Sequence, residues 1–166
     1  VVMPAGHTAR ATPTGGVVGR SATEDFVRDF LTDIVPYVES HYRVLTDRAH
    51  TAIAGLSMGG VQTLHIIGAR LEKFAYIGVF SSGPRTVDET FQKQLDAVKA
   101  GGVTFYWLGA GTTDMARAGT VALSELVKKE GIATSYREIP GPHYWFLWRD
   151  FLAHYAQVAF QPAPRS

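Results

Sequence analysis

Gly55-Leu56-Ser57-Met58-Gly59-Gly60 sets a serine among glycines in a G-x-S-x-G pattern. It follows residues 51–56, a short run of small and apolar residues suited to a strand covered on both faces. It precedes a helical pattern carrying Val61, Leu64 and Ile67. A strained turn between strand and helix holds a hydroxyl clear of a sheet, as a nucleophilic serine requires. The Met58 N–H, at the helix start, is placed to donate to a substrate oxyanion. Two blander readings are an ordinary N-cap serine and a phosphate-binding glycine loop. The second lacks the lysine that a P-loop carries after its glycines.

A serine hydroxyl is a poor nucleophile at neutral pH unless a base takes its proton. Histidine is the natural base, and an acidic partner fixes its tautomer. Where the serine sits on a strand-to-helix elbow, the chain order is serine, acid, histidine. Of six histidines, only His65, His143 and His154 follow Ser57, and His65 and His154 fall within helical patterns. His143 comes after the strand-like residues 133–139 and the sharp turn Pro140-Gly141-Pro142, just ahead of the last helical pattern. It is the expected base, against the alternative of a turn histidine packed on Tyr144 or Trp145.

The acid must then lie between Ser57 and His143, and Glu72, Asp88, Glu89, Asp96, Asp114, Glu125, Glu130 and Glu138 are the candidates. Most fall on helices as solvated face charges. Glu138 is too near His143 along one strand to approach it from the side. Asp114 follows residues 103–108, the most strand-like segment, through a predicted loop Gly109-Ala110-Gly111-Thr112-Thr113 that carries it toward His143. The alternative is a loop carboxylate or helix N-cap. Gly109-Ala110-Gly111 lacks the third glycine of a dinucleotide-binding turn. No His-x-x-x-His or carboxylate cluster has ligand spacing, so neither metal nor cofactor is expected.

These residues need a scaffold that brings strand ends together. Apolar runs alternate with helical patterns, which predicts βαβ units and a parallel sheet. Residues 1–3 read as a strand stub, 7–19 as an exposed loop rich in Gly, Thr and Pro, and 161–166 as a frayed tail. Ser21 and Glu24 form a capping box ahead of Phe26, Phe30, Ile34 and Val38, with Pro36 expected to bend that helix or end its regular hydrogen bonding. Strands are expected at 51–56, 75–80, 103–108 and 133–139. Helices are expected along Val87, Phe91, Leu95 and Val98 up to Gly101-Gly102, along Ala122 and Leu126 up to Gly131, and at 59–70 and 144–160. One domain over residues 1–166 is expected, with no repeat or linker.

Bulk composition narrows the function classes. The 166 residues are 46% hydrophobic and 19% charged, enough apolar material for one good core. A net charge of +1 gives no field to gather nucleic acid or an anionic membrane. The chain has no cysteine, which excludes disulfides and thiolate catalysis and leaves the redox compartment open. No apolar run reaches the roughly 18 residues of a membrane span. Val1-Val2-Met3-Pro4 reads as a strand entered in mid-run, so the natural chain is expected to begin earlier.

Taken together, the motifs resemble the esterase D-like group of the α/β-hydrolase superfamily, which includes feruloyl and acetyl xylan esterases of carbohydrate esterase family one. The resemblance spans nearly the whole chain. It rests on Val2-Met3-Pro4-Ala5-Gly6-His7, on residues 52–60 around Ser57, and on Phe74-Ala75-Tyr76-Ile77-Gly78-Val79-Phe80-Ser81-Ser82-Gly83. It continues through Gly109-Ala110-Gly111-Thr112-Thr113-Asp114, Gly141-Pro142-His143-Tyr144-Trp145 and Trp148-Arg149. The resemblance implies an α/β-hydrolase three-layer fold with a mostly parallel sheet, incomplete here and represented by its C-terminal strands and helices. It implies a serine carboxylesterase with nucleophile, acid and base on Ser57, Asp114 and His143, the same choice as above. Tyr144, Trp145 and His7 become candidate substrate walls. The implied partner is a small ester or polysaccharide ester, with secretion or a periplasmic location fitting such substrates and oligomeric state left open. Alternatives are an acyltransferase on the same fold or a fragment with little activity alone.

Two departures from the family pattern stand out. Met115-Ala116-Arg117 follows the acid, where the family usually has an aromatic or acidic residue. The upstream strands and the His-Gly oxyanion loop of the family precede the segment where this sequence starts. One of those strands would lie between residues 1–3 and 51–56, leaving a slot of about two strand spacings, 9–10 Å, so low stability and weak activity are expected of the isolated chain.

Overall fold

A computed structural model describes residues 1–7, 20–70, 72–84 and 86–161 of the chain. It resolves into two compact units, residues 1–46 and 47–166. In the first unit, α1 (Arg20–Asp29) continues through a π-helical turn (Phe30–Ile34) into α2 (Val35–His41). Pro36 explains the irregularity: it has no N–H to give to the preceding turn. The π turn absorbs the defect, with the Val35 N–H reaching back to the Phe30 carbonyl. The helix is therefore interrupted in its hydrogen bonding without ending at Pro36. Residues 1–3 form no strand and are exposed. Their apolar pattern favours a strand, but extended backbone becomes one only when a neighbour supplies ladder hydrogen bonds. The capping hydroxyl expected at Ser21, most of the loop expected at 7–19, and residues 162–166 of the tail lie outside what is described.

The second unit holds four parallel strands in the order β1 (Ala52–Leu56), β2 (Tyr76–Phe80), β3 (Phe105–Gly111) and β4 (Thr134–Ile139). Helices α3 (Met58–Ala69), α4 (Glu89–Ala100) and α5 (Arg117–Lys129) make the crossovers. Right-handed crossovers between strands laid down in sequence order put all three helices on one face. The last helix, α6 (Trp145–Val158), covers the other face, where Phe80 and Trp107 pack with Leu147, Trp148, Phe151 and Tyr155. Alternation along the strands sends Ile77, Val79, Tyr106 and Leu108 to the opposite side, each at most 2% exposed. With both faces covered, β2 and β3 are buried end to end.

Gly109-Ala110-Gly111 does not form the expected loop, because it continues β3. Its glycines answer to crowding. A Cβ on Gly109 would lie 2.8 Å from the Trp107 ring, and one on Gly111 would lie 2.2 Å from the Gly141 carbonyl oxygen. Asp88, one of the carboxylates passed over for the acid, caps α4 by accepting from the Phe91 N–H at 2.8 Å.

Candidate active site

Ser57 follows β1 directly and Met58 opens α3, so the chain reverses within one residue. That residue has φ 51° and ψ −117°, a conformation costly for any side chain larger than hydrogen. Neighbouring backbone leaves little choice. The Ser57 N–H donates to the Phe80 carbonyl at 2.9 Å, and the Ser57 carbonyl accepts from Gly60 and Val61. A Cβ on Gly55 would sit 2.0 Å from the Gly59 carbonyl oxygen, and one on Gly60 would sit 2.5 Å from the Ser82 Cβ. Gly59 itself has open space around it. The elbow thus rests on Gly55 and Gly60, which let strand, turn and helix touch. Met58 is the first residue of α3, so its N–H belongs to the turn of donors that a helix leaves unpaired.

Asp114 and His143 reach the same rim from β3 and β4. Their loops are stitched together: the Thr112 N–H donates to the Ile139 carbonyl, and the Thr113 N–H to the Gly141 carbonyl. Gly141 takes a φ of 145°, in glycine's region, and presents its carbonyl edge to Gly111. The closeness of the two loops puts Asp114 Oδ1 2.8 Å from His143 Nδ1, and His143 Nε2 2.8 Å from Ser57 Oγ. A carboxylate only accepts, so Nδ1 carries the proton, and in the neutral ring Nε2 is left to accept from the serine. The Asp114 side chain is fully buried, whereas His143 keeps 21% of its side chain exposed. Burial by itself would push the Asp114 carboxyl up. Contacts from Ser81, the Ala116 N–H and His143 outweigh it and hold the carboxyl below its ordinary value.

The remaining expected site residues fall as follows. Tyr144 and Trp145 are exposed, 58% and 60%, and are not core residues of α6. The Trp145 ring meets Trp148 edge-on. Met115 and Phe146 are exposed as well, so the segments beside Asp114 and His143 present apolar side chains to solvent. His7 is exposed in the first unit. Glu138, set aside as the acid, is paired instead with Arg117 at 2.8 Å and accepts from the Tyr136 hydroxyl. Two residues close to the site were given no part in it by the sequence, though both lie in stretches that carry the family resemblance. Ser81, 1% exposed, has φ 49° and accepts from the Trp148 indole at 2.8 Å. The Trp148 ring in turn stands edge-on to His143, with centroids 4.9 Å apart. An open groove of about 420 Å³, lined by Trp107, Tyr136, Arg137 and His154 among others, contains none of Ser57, Asp114 and His143.

Comparison with known proteins agrees with this architecture. The chain is 29% identical over 147 residues to an endo-1,4-beta-xylanase/feruloyl esterase of Xylanibacter ruminicola, a match covering 88% of this chain and 19% of that protein. A CE1 ferulic acid esterase from Anaeromyces mucronatus superposes with a TM-score of 0.72 at 22% identity, covering 90% of this chain and 60% of the other. The feruloyl esterase module from Clostridium thermocellum, a serine-to-alanine mutant complexed with sinapinate, gives a TM-score of 0.71 at 19% identity, with 87% and 61% covered. S-formylglutathione hydrolase from Staphylococcus aureus gives 0.67 at 17%, with 83% and 62% covered. These neighbours share the α/β-hydrolase fold, and the chain spans about a fifth of the curated relative and three-fifths of the solved structures. The sequence profile of the family described as "Putative esterase" matches residues 1–157, and the chain belongs to that family.

Proposed function

We propose that the chain carries the reactive machinery of a serine carboxylesterase, acting on a feruloyl or acetyl ester of a carbohydrate. The observation that supports this reading above all others is the line from Ser57 Oγ through the His143 imidazole to Asp114, with 2.8 Å at each contact. In the first half-reaction His143 Nε2 takes the Ser57 proton as Oγ attacks the ester carbonyl, and Asp114 steadies the imidazolium. The tetrahedral oxyanion lies against the Met58 N–H at the positive end of α3. The imidazolium then returns its proton to the leaving alcohol. In the second half-reaction water, deprotonated by His143, releases the acid and restores the serine.

The acyl preference draws on two supports. Tyr144 and Trp145 expose rings on which an aromatic acid could stack. Several relatives are named for feruloyl or ferulic acid ester cleavage. Hydrolysis of p-nitrophenyl acetate and methyl ferulate, each with Ser57→Ala as control, tests the reading. The parent is expected to turn over both, and the variant neither above background. Equal rates in the two proteins would remove the case for catalysis. Adding an alcohol acceptor separates hydrolysis from acyl transfer, since a transferase would put the acyl group on the alcohol instead of water.

A further inference from the structure

Asp114 has two carboxylate oxygens, and only one is fully occupied. Oδ1 accepts from His143 Nδ1 and from the Ala116 N–H, both at 2.8 Å. Oδ2 is buried and completes no hydrogen bond among the described residues. An ionised oxygen held out of water without a donor is costly. The Ser81 hydroxyl is close enough to the Asp114 carboxyl to help hold it down against burial.

Ser81 is held in an unusual way. It follows β2, its N–H donates to the Gly109 carbonyl at 2.7 Å, and its φ of 49° lies in the left-handed region. Strain of this kind persists only where surrounding structure enforces it. Its Oγ accepts from Trp148 Nε1 at 2.8 Å. An indole N–H can only donate, so that contact fills a lone pair on Ser81 and leaves the serine's own proton to give. The spare proton of Ser81 and the orphan oxygen of Asp114 thus belong to neighbouring side chains. The same indole meets the His143 ring edge-on, at an interplanar angle of 83°.

We propose that Ser81 and Trp148 are positioning residues for the Ser57, His143 and Asp114 line. Ser81 closes its O–H onto Asp114 Oδ2, and the Trp148 indole braces Ser81 with its N–H and His143 with its ring. Neither touches substrate. The proposal rests on the acyl-transfer reading of the site and adds the parts that keep acid and base aligned while charge moves between them.

A double-mutant cycle tests it: parent, Ser81→Ala, Asp114→Asn and the double variant, with p-nitrophenyl acetate turnover and the solvent exchange of the His143 Nδ1 proton followed by NMR. Ser81→Ala is expected to lower kcat about tenfold at unchanged KM, the worth of a hydrogen bond to a charged group. It is also expected to speed exchange of the Nδ1 proton. Both effects should vanish in the Asp114→Asn background, because Ser81 acts through the carboxylate. Equal losses in both backgrounds would mark a general structural role and overturn the proposal, as would a slow, unchanged proton in Ser81→Ala. Trp148→Phe, which keeps a ring and removes the N–H, is expected to repeat the pattern more weakly and serves if Ser81→Ala does not fold. If Ser57→Ala matches the parent in turnover, the esterase reading fails, and proton exchange still judges Ser81.

Discussion

Asp114 shows how much a single residue's worth depends on what surrounds it. In the proposed mechanism it fixes the tautomer of His143 and balances the imidazolium. Asp114→Asn keeps the shape but cannot accept in the same way, so kcat for p-nitrophenyl acetate is expected to fall by roughly 10⁴ with the fold intact, the loss such a change causes in a serine–histidine–aspartate system. Far-ultraviolet circular dichroism alongside the assay checks both halves. The approach of Ser57, Asp114 and His143 was legible in the sequence because each follows a strand-like run, and parallel strands point the same way. Ser81 was not legible. Its place depends on a backbone angle and on a tryptophan 67 residues further along, and neither leaves a local pattern.

Among the elements, the strand–turn–helix around Ser57 separates glycines by their surroundings. Gly55→Ala would push a methyl group into the Gly59 carbonyl, whereas Gly59→Ala enters open space. The first is expected to cost about 1–3 kcal/mol or more of stability, the range for overpacking a tight contact, and the second a few tenths at most. Urea midpoints of the two variants decide this, and similar midpoints would show that the elbow is not held by that approach. The alternation of strands and helices was legible throughout the second unit, with most boundaries shifted by a residue or two and the end of β3 by three. Gly109 to Gly111 misled because glycine signals turns locally, while here it relieves crowding by Trp107, Leu147 and Gly141, residues that meet it only in the folded sheet. The interruption before Pro36 was legible from the missing N–H alone. Its form, a π turn that lets the helix run on to His41, was not.

At the scale of the molecule, acid sensitivity follows from the paired carboxylates. The Asp114 carboxyl lies below its ordinary 3.8 in the folded chain. On acidification the unfolded chain takes up this proton first. The stabilising contribution is thus complete above about pH 4 and is lost as pH falls through the lower folded value. Asp150, held down by Arg137, adds a weaker effect of the same sign, since about a third of each side chain is open to screening by solvent. The parent is expected to lose more stability than Asp114→Asn between about pH 5 and pH 2, measured by urea unfolding at each pH. Parallel slopes would rule out Asp114 as a contributor.

One consequence of the all-parallel sheet reaches beyond equilibrium. No hairpin brings any two of Ser57, Asp114 and His143 together early: the serine and the imidazole are 86 positions apart, and each contact spans at least one crossover. Their meeting is therefore among the last events as the chain condenses, since loop-closure entropy must be overcome before distant partners reward it. On the proposed mechanism, a newly made molecule acquires its sheet before it acquires its chemistry, and a reagent that marks only an activated Ser57 hydroxyl would time the end of that process.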